Sequence, residues 1–171
     1  MDEETARIIG RMQRELEALR AIEIPPGRCA ARYTTNAGQS IPNGSFTIVD
    51  FEDIRYDTHT AVTTGASWKF TCPTGHSGYY RVAVALLFTS SATWAATEYA
   101  QASLYKGGIV YSHLARNMME SATTTNLFLV GADEIYLASG EYIDIRLFQN
   151  SGAALALHTD GLYNHVAISK K

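Results

Sequence analysis

The sequence has little charge and no long apolar run, and these deficits exclude several classes of protein. Charged residues make up 18% of the 171 residues, and the net charge is −3. Lys and Arg are scattered along the chain, whereas a surface that binds nucleic acid or anionic lipid concentrates positive charge. The longest dense apolar run, Val82 to Phe88, is far too short to span a bilayer. We therefore expect neither nucleic acid nor a membrane as a partner.

Cysteine is also scarce. The only two cysteines, Cys29 and Cys72, are too few for a disulfide framework, and the sequence leaves open whether they pair or remain free thiols. The chain starts with Asp2, Glu3 and Glu4, which is opposite in charge to the basic start of a secretory signal. We therefore expect a protein that is made in a cytoplasm.

The segment FTCPTGHSGYYRVAVALLF, residues 70–88, places Cys72 four residues before His76 and suggests a reactive or metal-binding pair. Such a site needs further partners, and no second Cys-x-x-Cys or His-x-His lies nearby. The sequence also lacks a Gly-x-Ser-x-Gly elbow and a phosphate-binding loop. We expect no catalytic residue, no metal site and no cofactor, and hence a protein that is not an enzyme.

A cluster of acidic residues has two interpretations. Asp50, Glu52, Asp53 and Asp57 offer oxygen ligands that would suit calcium. Carboxylates spaced in this way are also typical of a solvated strand edge, where charge prevents pairing with another chain. The edge interpretation is the favoured one.

The first 24 residues differ in character from the rest of the chain. They contain no aromatic residue or proline and are rich in Glu, Arg, Leu and Ala, which favour helix, and the helix would end at Pro25-Pro26. Burying its four apolar side chains contributes about 6–12 kcal/mol, while ordering roughly twenty backbone positions costs on the order of 20 kcal/mol. The helix would thus extend an oligomer rather than hold one together. Its apolar residues have the a/d spacing of a coiled coil: Ile9, Met12, Leu16 and Leu19.

Beyond the prolines the sequence predicts an all-β domain. About nine or ten short runs of Val, Ile, Phe, Tyr and Thr alternate with turn-forming Gly, Asn, Ser and Pro, without a helical stretch between them. In the run after Gly75 to Gly78, alternation directs Tyr80, Val82 and Val84 to the core. In EYIDIRLF, it places three apolar residues on one face and Asp144 with Arg146 on the other.

Six segments then occur in an order that resembles the globular heads of the C1q family. Each motif alone is weak, but their order and spacing over residues 44–171 are specific, apart from a late turn that is one residue longer in this chain. The segments are Phe51 with Tyr56-Asp57, Phe70-Thr71-Cys72-Pro73, Gly78-Tyr79-Tyr80, Leu104-Tyr105-Lys106-Gly107, Leu129 to Ile135, and Val166 to Ile168.

The resemblance implies the C1q/tumour-necrosis-factor jelly roll, a β-sandwich that assembles as a trimer. The collagen repeat of the familiar animal members is absent, and a short helix precedes the head, which is similar to C1q-like modules of bacteriophage virions. We expect residues 1–24 to form an attachment helix, 25–43 a linker leading into the domain, and 44–171 the jelly roll. Cys72 then matches a cysteine that this family commonly has before a proline, which favours a structural role.

These features predict a non-enzymatic virion component of a tailed bacteriophage, namely a head fibre, decoration protein or fibre tip. The helix would bind a capsid or tail protein. A soluble, lectin-like C1q module of a bacterium is the alternative. Hydroxyl-rich loops at 58–67, 89–98 and 120–126 suit recognition of a host surface protein or glycan, with Trp94 and Tyr99 as contact residues. Burial of Trp94 in the core or in the trimer remains an equal alternative.

Overall fold

The structure is a computed structural model that describes residues 27–89 and 93–171, and this part of the chain consists of β-strands and loops without a helix. All strand pairs are antiparallel. The strands are β1 Ala30–Thr34, β2 Ser40–Ile41, β3 Thr47–Ile48, β4 Asp53–Asp57, β5 Val62–Thr63, β6 Lys69–Thr71, β7 Gly78–Phe88, β8 Thr93–Trp94, β9 Tyr99–Lys106, β10 Ile109–Met118, β11 Thr123–Thr124, β12 Leu127–Leu137, β13 Tyr142–Gln149, β14 Leu155–Ala156 and β15 His165–Lys170.

Two sheets make up the sandwich. The first has five strands in the order β12-β7-β15-β1-β4, and the second has the order β10-β9-β13-β6-β5, with β3 also paired to β13. Two short ribbons, β11-β8 and β14-β2, cover parts of the sandwich. Most neighbours in these sheets, apart from β9 with β10 and β5 with β6, are distant in sequence, as in a jelly roll. The all-β prediction is confirmed.

Alternation along the longest strands builds the core as predicted. Tyr80, Val82 and Val84 of β7 are buried between the sheets. The apolar residues of EYIDIRLF, now in β13, are also fully buried. The same core contains several large aromatic side chains, and the fully buried ones are Phe51, Trp68, Phe70, Tyr80, Phe88 and Trp94.

The domain begins earlier in the chain than expected. Residues 25–43 were predicted to be a linker, with the jelly roll starting at residue 44. Instead, β1 lies inside the five-stranded sheet, where it pairs with β15 on one side and β4 on the other. The boundary at residue 44 is therefore too late, because Ala31 and Tyr33 contribute to the core. The helix predicted for residues 1–24 lies outside the described residues.

Strand directions divide the loops between two ends of the sandwich. At one end, called here the Cys29 end, the backbone nitrogen of Lys170 donates to the carbonyl of Cys29, and β7 begins at Gly78. At the other, called here the Trp94 end, β7 finishes at Phe88, whose ring packs against Trp94. Residues 1–26 therefore join the sandwich at the Cys29 end.

Candidate functional site

Cys72 and His76 do not form a reactive pair. The Cys72 side chain is buried, and its sulfur lies 3.6 Å from the hydroxyl of Tyr80 and 3.8 Å from the carbonyl oxygen of Leu137. The Tyr80 hydroxyl donates a 2.7 Å hydrogen bond to the backbone carbonyl of His76, not to its ring. This geometry fixes the turn that leads into β7, so the segment has the structural role that the sequence favoured.

The Cys29 thiol is also poorly suited to nucleophilic chemistry. Both cysteines are buried and free. Burial raises the pKa of the Cys29 thiol, although the Tyr80 hydroxyl partly opposes that shift. Burial and hydrogen bonding to both cysteines likewise raise the pKa of Tyr80. A raised thiol pKa leaves little thiolate at neutral pH, and thiolate is the reactive form.

His76 instead contacts another histidine. The rings of His59 and His76 meet edge to face with centroids 4.0 Å apart, and the Thr58 hydroxyl lies 2.7 Å from Nδ1 of His59. Partial desolvation, followed by the nearby His59 and Lys170, lowers the pKa of His76. Among residues 27–89 and 93–171, no group of three or more His, Cys, Asp or Glu is arranged to hold a metal ion.

The acidic cluster serves the loops around it. Asp50 accepts a hydrogen bond from the backbone nitrogen of Gly65, and Glu52 accepts from those of Asn36 and Ala37. Asp57 accepts from the Tyr33 hydroxyl and from two backbone nitrogens of the following loop. These carboxylates therefore hold separate loop segments and do not converge on one point.

The prediction that Trp94 is a surface contact residue is wrong. Its side chain is 0% exposed and packs edge to face on Phe88 with ring centroids 6.3 Å apart. The hydroxyl-rich loops are also not a single cluster. Those at 89–98 and 120–126 meet at the Trp94 end, where Thr123 pairs with Trp94 in the β8–β11 ribbon. The loop at 58–67 begins at the Cys29 end, because the backbone nitrogen of Thr58 donates to Ala30.

Tyr99, by contrast, lies in an aromatic row on the outer face of the six-stranded sheet. We call Tyr99, Phe148, Phe46 and Tyr105 the aromatic row. Their ring centroids are 5.3, 5.1 and 5.9 Å apart in that order. The first pair is stacked, Phe46 is 41% exposed, and the other three rings are half-buried. The row thus presents ring surface to solvent along β9, β13 and the turn before β3.

Arginines cover both ends of the aromatic row. The guanidinium carbon of Arg116 lies 3.8 Å from the ring centroid of Tyr99, and that of Arg146 lies 4.0 Å from Tyr105. Asp144 holds Arg146 through a 2.6 Å ion pair and raises its pKa. Asp144, expected on a solvated face, is itself 2% exposed because this arginine and its neighbours cover it. Stacked rings beside fixed cations are suited to contacts with sugars and polar surfaces.

The sequence could not indicate this row. Its members come from β9, β13 and the turn before β3, and only the pairing of Gln101 with Phe148 and of Arg146 with Ile48 brings those segments together. From the sequence, Tyr99 is predicted as a contact residue because it lies beside a hydroxyl-rich loop. The sequence has no sign that Tyr99 stacks on Phe148.

The outer face of the five-stranded sheet carries a second exposed surface. We call Tyr79, Phe128, Val130 and Tyr136 on β7 and β12 the apolar face; each is at least 45% exposed. Tyr79 and Tyr136 are cross-strand partners with ring centroids 5.4 Å apart. Between the two ends of this face lie the cross-strand neighbours Arg81 and Glu134 and a row of small side chains formed by Ala132, Ala83 and Ala167, which are aligned across β12, β7 and β15.

Comparisons with known proteins identify the fold. Neither a family model nor a curated protein matches the chain. Among solved structures, the Eiger TNF of S. frugiperda superposes with a TM-score of 0.61 at 12% identity, over 84% of this chain and 92% of that one. Murine APRIL gives 0.57 at 13%, over 84% and 99%. The globular domain of the zebrafish complement 1qA protein gives 0.55 at 12%, over 84% and 96%. The chain therefore has the jelly-roll fold of C1q and tumour necrosis factor domains.

Proposed function

We propose that this chain is a non-enzymatic, homotrimeric virion component of a tailed bacteriophage, either a head fibre, a decoration protein or a fibre tip. The apolar face is the observation that carries the trimer. An exposed surface with large apolar side chains at its ends and small ones between them is typical of a protein–protein interface. Because the resembled jelly rolls assemble as trimers, a second copy of the chain is the partner we expect on the apolar face.

Burial of the apolar face would contribute favourably to association. Tyr79, Phe128, Val130 and Tyr136 are about half exposed. Completing the burial of each contributes about 1 kcal/mol, or about 4 kcal/mol for one copy of the face. A closed trimer repeats this contact three times, and Ala83 and Ala132 allow the partner to approach the sheet closely.

The virion role has its support in the N-terminal sequence. Residues 1–24 have the a/d pattern described above, and residue 27 lies at the Cys29 end of the sandwich. A trimeric helix bound to a capsid or tail protein would direct the Trp94 end outward. A C1q-like head of this size after a short helix resembles modules of phage virions. We place the protein on the particle, after synthesis in the host cytoplasm.

The aromatic row supports a recognition role on the outside of the trimer. It lies on the six-stranded sheet, whereas the apolar face lies on the five-stranded sheet, so both surfaces can be occupied together. Exposed rings held by cations favour a host glycan or surface protein as the ligand. The same row supports the alternative, a soluble lectin-like C1q module of a bacterium.

Light scattering tests the trimer, and particle composition separates the two roles. At micromolar concentration the chain should have three times its 18.7 kDa mass. Val130→Asp with Tyr136→Asp should give monomers, because charges would be buried in the interface, while Ile54→Asp, an exposed change on the distant edge strand β4, should remain trimeric. A monomeric wild type would contradict the proposal. Mass spectrometry of purified phage should find the chain at a fixed copy number; its absence would favour the bacterial module.

A further inference from the structure

A polar cavity opens at the β4 edge of the five-stranded sheet. Its volume is about 460 Å³, which is within the range of small-molecule sites. This edge is opposite to β12, and Arg32 of the cavity is the cross-strand neighbour of Ala167, the last residue of the row of small side chains on the apolar face. The residues that line it come from β1, β4 and the loop before β15: Arg32, Thr34, Arg55, Tyr56, Gly161 and Leu162.

Two arginines give this cavity a positive charge. Arg32 and Arg55 are exposed, and neither forms an ion pair with any residue in 27–89 or 93–171. In the pairing of β1 with β4, Tyr56 lies opposite Arg32 and Ile54 lies opposite Tyr33. Arg55 is therefore an extra residue of β4 at this register shift, next to the Arg32–Tyr56 pair. The acids nearest in register are Asp57, opposite Ala31, and Asp53, opposite Thr34, and neither forms an ion pair with Arg32 or Arg55. Free guanidinium groups bind carboxylates and phosphates through two parallel hydrogen bonds.

A buried hydroxyl without a partner lies in the wall of the cavity. Thr34 is 3% exposed, and its Oγ1 has no hydrogen-bond partner among the described residues. Gly161 packs directly over it, because a Cβ at that position would lie 3.1 Å from the oxygen. Buried polar atoms are rarely left unsatisfied in native proteins, so this hydroxyl points to a ligand or an ordered water.

The cross-strand neighbour of Thr34 has the same deficiency. His165 pairs with Thr34 across β1 and β15, and its Nδ1 is buried without a partner in the described part of the chain. Burial, followed by the positive charge of Arg32, lowers the pKa of His165. The cavity therefore holds the positive charges of Arg32 and Arg55, while His165 is not among the residues that line it.

We propose that this cavity binds an anionic saccharide, with the acid group of the sugar between Arg32 and Arg55 and the sugar ring against Tyr56. Carboxylate and phosphate share the required charge and geometry, so uronic acids and sugar phosphates are the two sources to compare. The saccharide part of this inference rests on the recognition role proposed above, whereas the anion part rests on the cavity alone.

Titration of the full-length wild type by NMR or calorimetry tests this site. The probes are glucuronic acid, glucose 6-phosphate, neutral glucose and inorganic phosphate. We expect saturable binding of one or both sugar acids, binding of inorganic phosphate at least tenfold weaker, and no binding of glucose. Arg32→Gln combined with Arg55→Gln should weaken sugar-acid binding at least tenfold. Arg28→Gln, which removes the same charge from an exposed position beyond the cavity, should leave it unchanged.

Three results would overturn the inference. These are absence of saturable binding to either sugar acid, equal affinity for inorganic phosphate and the sugar acids, or unchanged affinity in the double arginine variant. The wild type could bind no sugar acid while the double arginine variant loses its oligomeric state. The cavity would then be a contact site for an acidic side chain of a second copy, and not a saccharide site. The recognition role is tested separately by Tyr99→Ala, which should not affect sugar-acid binding at this cavity. Failure of one proposal is thus distinguishable from failure of the other.

Discussion

Gly131 of β12 faces the backbone carbonyl of Leu114 in β10 so closely that a Cβ at residue 131 would overlap the carbonyl oxygen and lie 2.6 Å from the carbonyl carbon. The two strands are edge strands of different sheets. Their approach closes one side of the sandwich, and only a residue without a side chain permits it.

We therefore expect Gly131→Ala to be among the most damaging single substitutions in the domain. The clash is with backbone, which cannot rotate away as a side chain can, so one of the strands must shift. The free energy of unfolding should fall by about 3 kcal/mol or more, measured by urea titration. Ala96→Ser adds one atom at an exposed position after β8 and should change it by less than about 0.5 kcal/mol. A Gly131→Ala protein of wild-type stability would show that β10 and β12 are not in contact.

Substitution of Trp94 should reduce mainly the stability of the domain, whereas substitution of Tyr99 should reduce mainly its binding to host cells or glycans. Trp94→Ala removes a fully buried ring and should cost about 3–5 kcal/mol of folding free energy. Tyr99→Ala removes a half-buried ring from the aromatic row and should cost about 1 kcal/mol. Binding to host cells or glycans should fall at least tenfold in Tyr99→Ala, while trimers remain, and should be retained by the folded fraction of Trp94→Ala. Loss of binding in Trp94→Ala together with normal binding in Tyr99→Ala would show that the loops at the Trp94 end form the recognition site.

Deletion of residues 1–24 should leave a folded, trimeric head. The estimate for the predicted coiled coil shows that four buried side chains do not offset the cost of ordering the helix, so the apolar face must supply the association. Light scattering and circular dichroism of the truncated chain check this. Binding to capsid or tail protein should be lost at the same time. A truncated chain that unfolds or becomes monomeric would show that the helix, rather than the apolar face, holds the oligomer.

The stability of the domain should decrease in mild acid because of His165. Its folded-state pKa is lowered from the ordinary value of 6.5, so below that pH the unfolded chain binds more protons than the folded one. The free energy of unfolding therefore falls as the pH drops through 6.5 and continues to fall until the folded-state pKa is passed. Urea midpoints at pH 7.5 and 5.0 should differ less in His165→Gln than in wild type. Equal differences in the two proteins would mean that His165 titrates normally.

Patterns within one strand could be predicted from the sequence, and relationships between strands could not. Alternation in β7 and β13 identified Tyr80, Val82 and Ile145 as core residues, because a period of two is a property of a single strand. Strand β1 was missed since its five residues, AARYT, are short and follow a proline-rich segment. Tertiary pairing determines its position between β15 and β4, and the local sequence does not indicate that pairing.

The candidate sites were missed for the same reason. Trp94 lies in a loop of small polar residues, and composition cannot tell whether a lone indole turns toward solvent or toward Phe88. The cavity combines Arg32 with Arg55 through a register shift that no repeat or spacing encodes. Each of these features depends on which strands become neighbours, and that is decided by the whole core rather than by any segment.

The pairing of β1 with β15 has a practical consequence for engineering. Because Cys29 and Lys170 are hydrogen-bonded neighbours, a short linker could join the two ends of the folded domain, and new termini could be opened elsewhere. A tag or cargo fused after Lys171 would stand at the Cys29 end, near residue 27, and could compete with whatever the attachment segment binds. Cargo intended for display is better inserted at the Trp94 end, where it would project away from the attachment segment.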